Sequence, residues 1–273
     1  MIIDIHTHIF PPEFIRNRAK LARIDSQFAD IYRDKTALMA TERDLLDSME
    51  IAGVDVSVAV GFWWEDESIA EDHAQYLAEV SQASKDGDIY RILSLAPLPA
   101  EYLPEGVRGS GEVRNNDRLE LSSWEQSSDI LLAHVSEELG HDYPGKNGGL
   151  SHRQIYDLLG NAEKSRIIAA HWGGGLPFFA FMPEIARFLE EDRLIFDSAA
   201  SKFLYSPEIF NLVPLIVGDD HVAWGSDFPL RPQDMELTEI KSIIRDDLLY
   251  EKFIGANAAR FLRLDYRSNA LEF

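Results

Sequence analysis

Eight short apolar runs alternate with helix-like stretches along 273 residues, and the ends of those runs collect histidines and acids. Together these features predict an α/β chain folded as one (β/α)8 TIM barrel domain over residues 1–273, with a metal site at the C-terminal ends of the strands. The length agrees, because barrels of this kind commonly take roughly 250 residues.

The first run, Met1-Ile2-Ile3, leads into Asp4-Ile5-His6-Thr7-His8. Residues two apart in a strand share a face, so His6 and His8 should project together, with Asp4 beside them in an orienting role and Thr7 opposite. Two adjacent imidazoles suit a divalent metal. After Phe10-Pro11-Pro12, residues 13–40 are polar and weakly periodic, an excursion of the kind that often covers an active site. Thr41 reads as the N-cap of a helix with Leu45, Leu46 and Met49 on one side and Gly53 as its stop.

Residues 54–60 alternate as a second strand, and Phe62-Trp63-Trp64 behind it is either a hydrophobic plug or a pocket wall. Residues 67–86 read as a helix on which His73 is a surface histidine. The third strand covers 90–96. The fourth covers 107–113, with Glu112 at its end, and 115–128 forms a marginal helix. The fifth strand, 130–134, ends in His134. The loop after it carries His141, Tyr143 and Lys146, either as substrate contacts or as ordinary surface, and His152 lies in the first turn of a helix ending near Gly160. The sixth strand, 166–171, ends in His171, followed by Trp172 and a Gly173–Gly175 run that either approaches a substrate or turns the chain. A helix over 176–191, a seventh strand over 194–197 and a helix over 205–216 broken by Pro207 and Pro214 come next. The eighth strand, 221–227, ends in Asp227, and helices over 234–247 and 250–262 close the chain.

Cysteine is absent, so any metal must be held by imidazole and carboxylate. A net charge of −21 repels nucleic acid as a partner, and most of the acids are solvating surface. No apolar run nears the roughly 20 residues of a membrane span, and the N-terminus lacks a signal-peptide pattern, so a cytoplasmic protein with no membrane partner is expected. A small molecule is the expected partner, and a homodimer is allowed.

The candidate ligands are His6, His8, Glu112, His134, His171 and Asp227. With Asp4-Ile5-His6-Thr7-His8, His171-Trp172-Gly173-Gly174-Gly175-Leu176-Pro177-Phe178, Trp224-Gly225-Ser226-Asp227-Phe228-Pro229 and Asn257-Ala258-Ala259-Arg260-Phe261-Leu262, the chain resembles the amidohydrolase superfamily. The closer likeness is to the amidohydrolase-related group that includes aminocarboxymuconate-semialdehyde decarboxylase. The resemblance implies that His6, His8, His134 and Asp227 hold one divalent ion, expected to be zinc, with Asp227 as the proton acceptor and His171 as a catalytic group that polarises a carbonyl or moves a proton. Gly111-Glu112 is similar to a feature of related metal-dependent deoxyribonucleases. If Glu112 bridges, His134 and His171 pass to a second ion; otherwise Glu112 is a supporting acid behind the ligands. The 257–262 stretch is expected to serve packing.

Three functions are compatible with this pattern. Metal-activated water attacking an amide, ester or lactone makes the chain a hydrolase, the leading expectation. A non-oxidative decarboxylase (a lyase) acting on an unsaturated or aromatic acid is the alternative, and it would benefit from a cation to grip the substrate carboxylate. Arg108, Arg114, Lys146, Lys202 and Arg231 are the candidate grips, none of them in a decarboxylase-like motif, and Gly111-Glu112 leans toward hydrolysis. A catalytically silent metal-binding barrel is the third reading.

Overall fold

The computed structural model describes residues 1–86, 89–125 and 130–264. Its parallel strands follow chain order: β1 (Ile3–His8), β2 (Val56–Val60), β3 (Ile92–Leu95), β4 (Gly109–Val113), β5 (Ile130–Ala133), β6 (Arg166–Ala169), β7 (Leu194–Asp197) and β8 (Val222–Ala223). β1 to β3 form one parallel ladder and β4 to β8 another. Two seams join the ladders into a closed barrel. At the first, Ala96 N donates to Gly109 O and Gly111 N to Ala96 O, both at 2.9 Å. At the second, Ile5 N donates to Trp224 O and Asp227 N to His6 O, both at 3.0 Å. Among the described residues, closure leaves the barrel sheet itself without a free edge.

The ladder is irregular at two places, both under the candidate ligands. Asp4 pairs with Ser57 and Thr7 with Ala59, so Ile5 and His6 together oppose Val58. Ser110 pairs with Leu131 and Val113 with Ala133, so Gly111 and Glu112 together oppose Leu132. Each is a β-bulge, which slips the alternation of side chains by one residue. Ile3 and Ile5 therefore pack with Val58, Val60, Leu95 and Leu132 in the interior, while His6 and His8 face the same way above them. The expected sharing of one face by Asp4 and the histidines is corrected. Asp4 is fully buried elsewhere, accepting from Ser226 Oγ at 2.5 Å and Gln233 Nε2 at 2.8 Å.

Helices cover the outside. α4 (Glu42–Ala52) opens on Thr41, whose hydroxyl and backbone make a reciprocal cap with Asp44, and stops at Gly53 with φ +71°, a left-handed position where glycine is favoured. α6 (His152–Asn161) is capped the same way by Ser151 and Gln154. Near the start of the strands, α12 (Asn257–Leu262) packs Phe261 and Leu262 against the interior cluster, while Asn257 Nδ2 donates to Asp219 O and Val222 O at 2.7 Å; this is the packing role expected of that motif.

Several elements depart from expectation. The polar excursion forms α1 (Pro12–Arg16), α2 (Arg18–Ile24) and α3 (Ser26–Tyr32), which bury Phe14, Leu21, Phe28 and Tyr32 against Phe10, Phe62 and Trp64. α5 (Glu67–Ala83) ends early, and Lys85–Asp86 pairs with Ile89–Tyr90 as a small hairpin. The marginal helix over 115–128 is reduced to a 3-10 turn, Leu121–Trp124; residues 126–128 lie outside the described residues. The helix expected over 176–191 begins only at α7 (Pro183–Glu190), because Trp172 to Gly175 are left-handed and prevent a regular start.

His73 is not at the surface. Fully buried, it accepts from Trp64 Nε1 at 3.0 Å and donates to Ile9 O at 2.9 Å, and its ring stacks on Phe10. Burial, opposed by the Ile9 bond, pushes its pKa down to about 4. The unfolded chain, with an ordinary value near 6.5, thus binds the proton first as pH falls, and stability present above that value is lost toward pH 4. Urea unfolding of wild type across this window should show a slope steeper by up to about 1.4 kcal/mol per pH unit than that of His73→Gln. Equal slopes would contradict a buried neutral His73.

Candidate metal centre

His6 and His8 come from β1, Glu112 from β4, His134 from the residue after β5, His171 from just beyond β6, and Asp227 from the loop after β8. The barrel brings all six together. Their reactive atoms fall into two groups, His6, His8 and Asp227 in one and Glu112, His134 and His171 in the other, each within 4.8 Å. His6 Nε2 lies 3.1 Å from His8 Nε2, and His8 Nε2 lies 3.3 Å from Asp227 Oδ1. His134 Nδ1 lies 2.8 Å from Glu112 Oε1 and 3.2 Å from His171 Nε2. Glu112 stands between the groups, its oxygens also 3.8 Å from His6 Nε2 and 4.0 Å from His8 Nε2. The four residues that the resemblance assigns to one ion are thus divided between the groups.

The outer nitrogens decide what the inner atoms can bind. His6 Nδ1 donates to Asp197 Oδ2 at 2.8 Å, His8 Nδ1 to Val60 O at 3.2 Å, His171 Nδ1 to Ala199 O at 3.1 Å and His134 Nε2 to Gly145 O at 2.8 Å. Each of these partners is an acceptor, so each ring, when neutral, carries its proton outward and turns a lone pair inward. Four lone pairs and two carboxylates then face one another in a dry site, an arrangement that a divalent cation satisfies. This chemistry fits a metal, and the donor groups support a divalent-metal site.

The electrostatics point the same way. Burial disfavours charge on His6, but Asp197, Asp227 and Glu112 outweigh it and raise its pKa to about 10. Burial would raise Glu112, yet Arg114 and then His134 hold the carboxyl well below its usual range. Asp227 is likewise held low, burial being overcome by its bond to His8 and the fields of His6, His8 and His171. His134, buried and beside Arg114, is pushed down to about 4 and stays neutral. The site pulls positive charge toward its centre.

Above the ligands opens a cavity of about 530 Å³, walled by Phe62, Phe203, Leu204 and Leu230 and floored by His8, Glu112, Arg114, His134, His171 and Asp227. Of the Phe62-Trp63-Trp64 trio, Phe62 is wall; Trp63 and Trp64 are fully buried plug. Tyr143 and the exposed His141 reach the cavity, whereas Lys146 donates to the carbonyls of Leu139, Gly140 and His141 in its own loop. The close approach at Gly174 is to the β5 loop, where a Cβ would sit 2.8 Å from Ser136 O. Among the five candidate grips only Arg114 lines the cavity. Lys202 pairs with Glu239, Arg231 with Glu236 and Glu239, and Arg108 is exposed.

Two residues carry more than their sequence suggested. Asp197, at the end of β7, holds His6 with one oxygen while the other accepts from His171 N at 2.8 Å and Ala199 N at 3.0 Å, tying both ligand groups together. Its signal was the one shared by the ligands, an acid at a strand end. Tyr32 lies in the excursion, where no motif marks it, and its phenol lines the cavity.

An amidohydrolase family model matches residues 150–264. Comparison of the sequence with curated proteins finds no match. In fold the chain is similar to 5-carboxyvanillate decarboxylase from Sphingomonas paucimobilis (16% identity, 96% of this chain and 99% of that one, TM-score 0.72). It is similar also to the manganese complex of the same kind of enzyme from Novosphingobium aromaticivorans (13%, 97% and 96%, 0.73). The third such structure is 2,6-dihydroxybenzoate decarboxylase from Rhizobium (17%, 97% and 99%, 0.67). The barrel fold stands, and the resemblance to the amidohydrolase superfamily is matched over residues 150–264. The expectation of hydrolysis is corrected: the neighbours named here are decarboxylases, and of the five candidate grips, none of which stood in a decarboxylase-like motif, Arg114 lines the cavity.

Replacing Asp197 by Asn would place an amide where His6 needs an acceptor, turning the wrong tautomer toward the centre. Metal affinity, measured by chelator competition, should fall roughly 10- to 100-fold with the circular dichroism spectrum unchanged. Undiminished affinity would remove Asp197 from the support of the centre.

Proposed function

We propose that the chain is a metal-dependent, non-oxidative decarboxylase of an aromatic carboxylic acid. The observation that carries this reading is Arg114, a buried cation on the floor of an apolar-walled cavity, beside the candidate ligands. Its guanidinium gives a carboxylate a reason to enter, and Phe62, over which it stacks at 5.5 Å, gives an aromatic ring a surface to lie on. The kinship in fold with decarboxylases of hydroxylated aromatic acids supports the same class.

His6, His8 and Asp227 would hold one ion; Glu112, His134 and His171 offer the donors of a second, with Glu112 as the bridge. An imidazole-rich set favours zinc, and manganese, bound in three of the similar structures, is the competing ion. When bound, the metal would supply Lewis-acid polarisation of substrate oxygens. The chain's own residues do the rest. Asp227, the most accessible of the ligand carboxylates with its side chain 14% exposed, is ionised at rest, so it first accepts a proton from a substrate hydroxyl or water and then returns it. The proton goes to the ring carbon that bears the carboxylate, forming a C–H bond. The C–C bond to the carboxylate then breaks, its electron pair returns to the ring, and carbon dioxide departs. His171, fixed by Ala199 O and by its backbone bond to Asp197, orients the reacting group.

Incubation with a panel of hydroxylated benzoates, with product masses measured, should show loss of carbon dioxide from at least one acid. Turnover of lactones or amides with every acid untouched would overturn the proposal. Asp227→Asn and His6→Ala should each lower kcat/KM by about 10²-fold or more with the fold retained; near wild-type rates would displace the site. Metal analysis of purified protein addresses ion count, since Glu112→Gln should halve bound metal if the carboxylate bridges. A value near one equivalent in both proteins would leave a single ion.

A further inference from the structure

The side-chain donors on the cavity floor are already committed. The N–H groups of Arg114 point at Glu112 Oε2, Gly145 O, Asn147 O and His134 Nδ1. His8, His134 and His171 spend their protons on backbone carbonyls, and the Tyr143 hydroxyl donates to Glu137 Oε2 at 2.8 Å. One donor remains. Tyr32 is 7% exposed and lines the cavity, and among the described residues nothing accepts from or donates to its hydroxyl. The hydroxyl is not among the buried atoms left without a partner, so it opens into the cavity, where an uncommitted donor can meet a guest.

Its position is fixed rather than fortuitous. The ring packs on Phe10, Phe28 and Phe62, with centroids 5.2, 4.8 and 6.2 Å away. α3 is pinned at its start by Asp25, which accepts from Phe28 N and Glu65 N at 2.7 Å, and near its end by Asp30, which accepts from Gly145 N at 3.0 Å. The same Gly145 carbonyl receives His134 and Arg114, so the helix that carries Tyr32 is built onto the ligand centre itself.

We infer that the Tyr32 hydroxyl donates the hydrogen bond that holds the substrate carboxylate, making this excursion residue a substrate-binding group. The inference rests on the aromatic-acid reading above and assigns to Arg114 only the field that draws the acid in. A neutral donor has a further merit for this reaction. It orients the carboxylate without stabilising its charge as a salt bridge would, and that charge is absent from the departing carbon dioxide.

Tyr32→Phe removes one oxygen and keeps the packed ring. Titration calorimetry on metal-loaded protein should use 2,6-dihydroxybenzoate and resorcinol, which is the same ring without the carboxylate. The variant should bind the acid at least about 10-fold more weakly while resorcinol affinity stays within about twofold, and KM for any acid turned over should rise more than kcat falls. Equal weakening of both compounds would show a wall residue only, and unchanged acid affinity would show no contact; either overturns the assignment while leaving the decarboxylase reading in place. Wild-type protein that binds neither compound would instead remove the aromatic-acid reading, and this inference with it.

Discussion

Lone pairs and carboxylates aimed at one another in a water-poor site repel unless positive charge lies between them, and the centre of this barrel is built on that condition. Four imidazoles keep their protons on the outside because Asp197 and three backbone carbonyls accept them there. Positions of strained backbone gather around the same point. His171, Trp172, Ala200 and Asp227 all have φ between 56° and 59°, a region that costs a residue with a side chain about 1–3 kcal/mol. Such strain persists only where neighbours over-determine it. Here the His171 amide is held by Asp197 and the Asp227 amide by the His6 carbonyl, so the ligands are mutually fixed through the backbone as well as through any ion.

The two bulges explain how strand geometry meets that condition. A regular β1 would alternate Ile3, Ile5 and Thr7 on one face and leave the histidines on the other. The extra residue opposite Val58 lets the same strand supply apolar side chains to the interior below and imidazoles to the centre above. The bulge in β4 does this for Gly111 and Glu112, where Gly111 is crowded by Val60, Leu95 and Leu132 at 3.1–3.2 Å from where a Cβ would stand. A larger residue there would displace the layer that supports the ligands.

Much of this was legible in the sequence, and the exceptions share a cause. The alternating elements gave the barrel, the strand-end histidines and acids gave the six converging donors, and the Thr41 and Gly53 signals gave α4 its limits, because each depends on local pattern. Asp4 was misplaced because a bulge is a pairing property, invisible along one strand. His73 was misjudged because its burial depends on α1 to α3, whose polar spacing conceals Phe14, Phe28 and Tyr32 as an aromatic wedge. Arg114 carried no motif. Its importance is set by the Glu112 carboxylate two residues earlier and by a loop more than thirty residues later, contacts that only the folded barrel creates.

Charge also orders the events at the site. The surface is strongly anionic, but at physiological salt exposed charges are screened beyond about 8 Å, so an acid entering the cavity responds chiefly to what lines it. Glu112, Asp227 and Asp197 face a single guanidinium, that of Arg114, and against burial they together hold a proton on His6, whose pKa they raise to about 10. A divalent cation bound by these donors would take the place of that proton, so metal binding should release it. Under the proposed function, the apolar walls and the uncommitted phenol of Tyr32 would then select among the anions that the loaded centre admits.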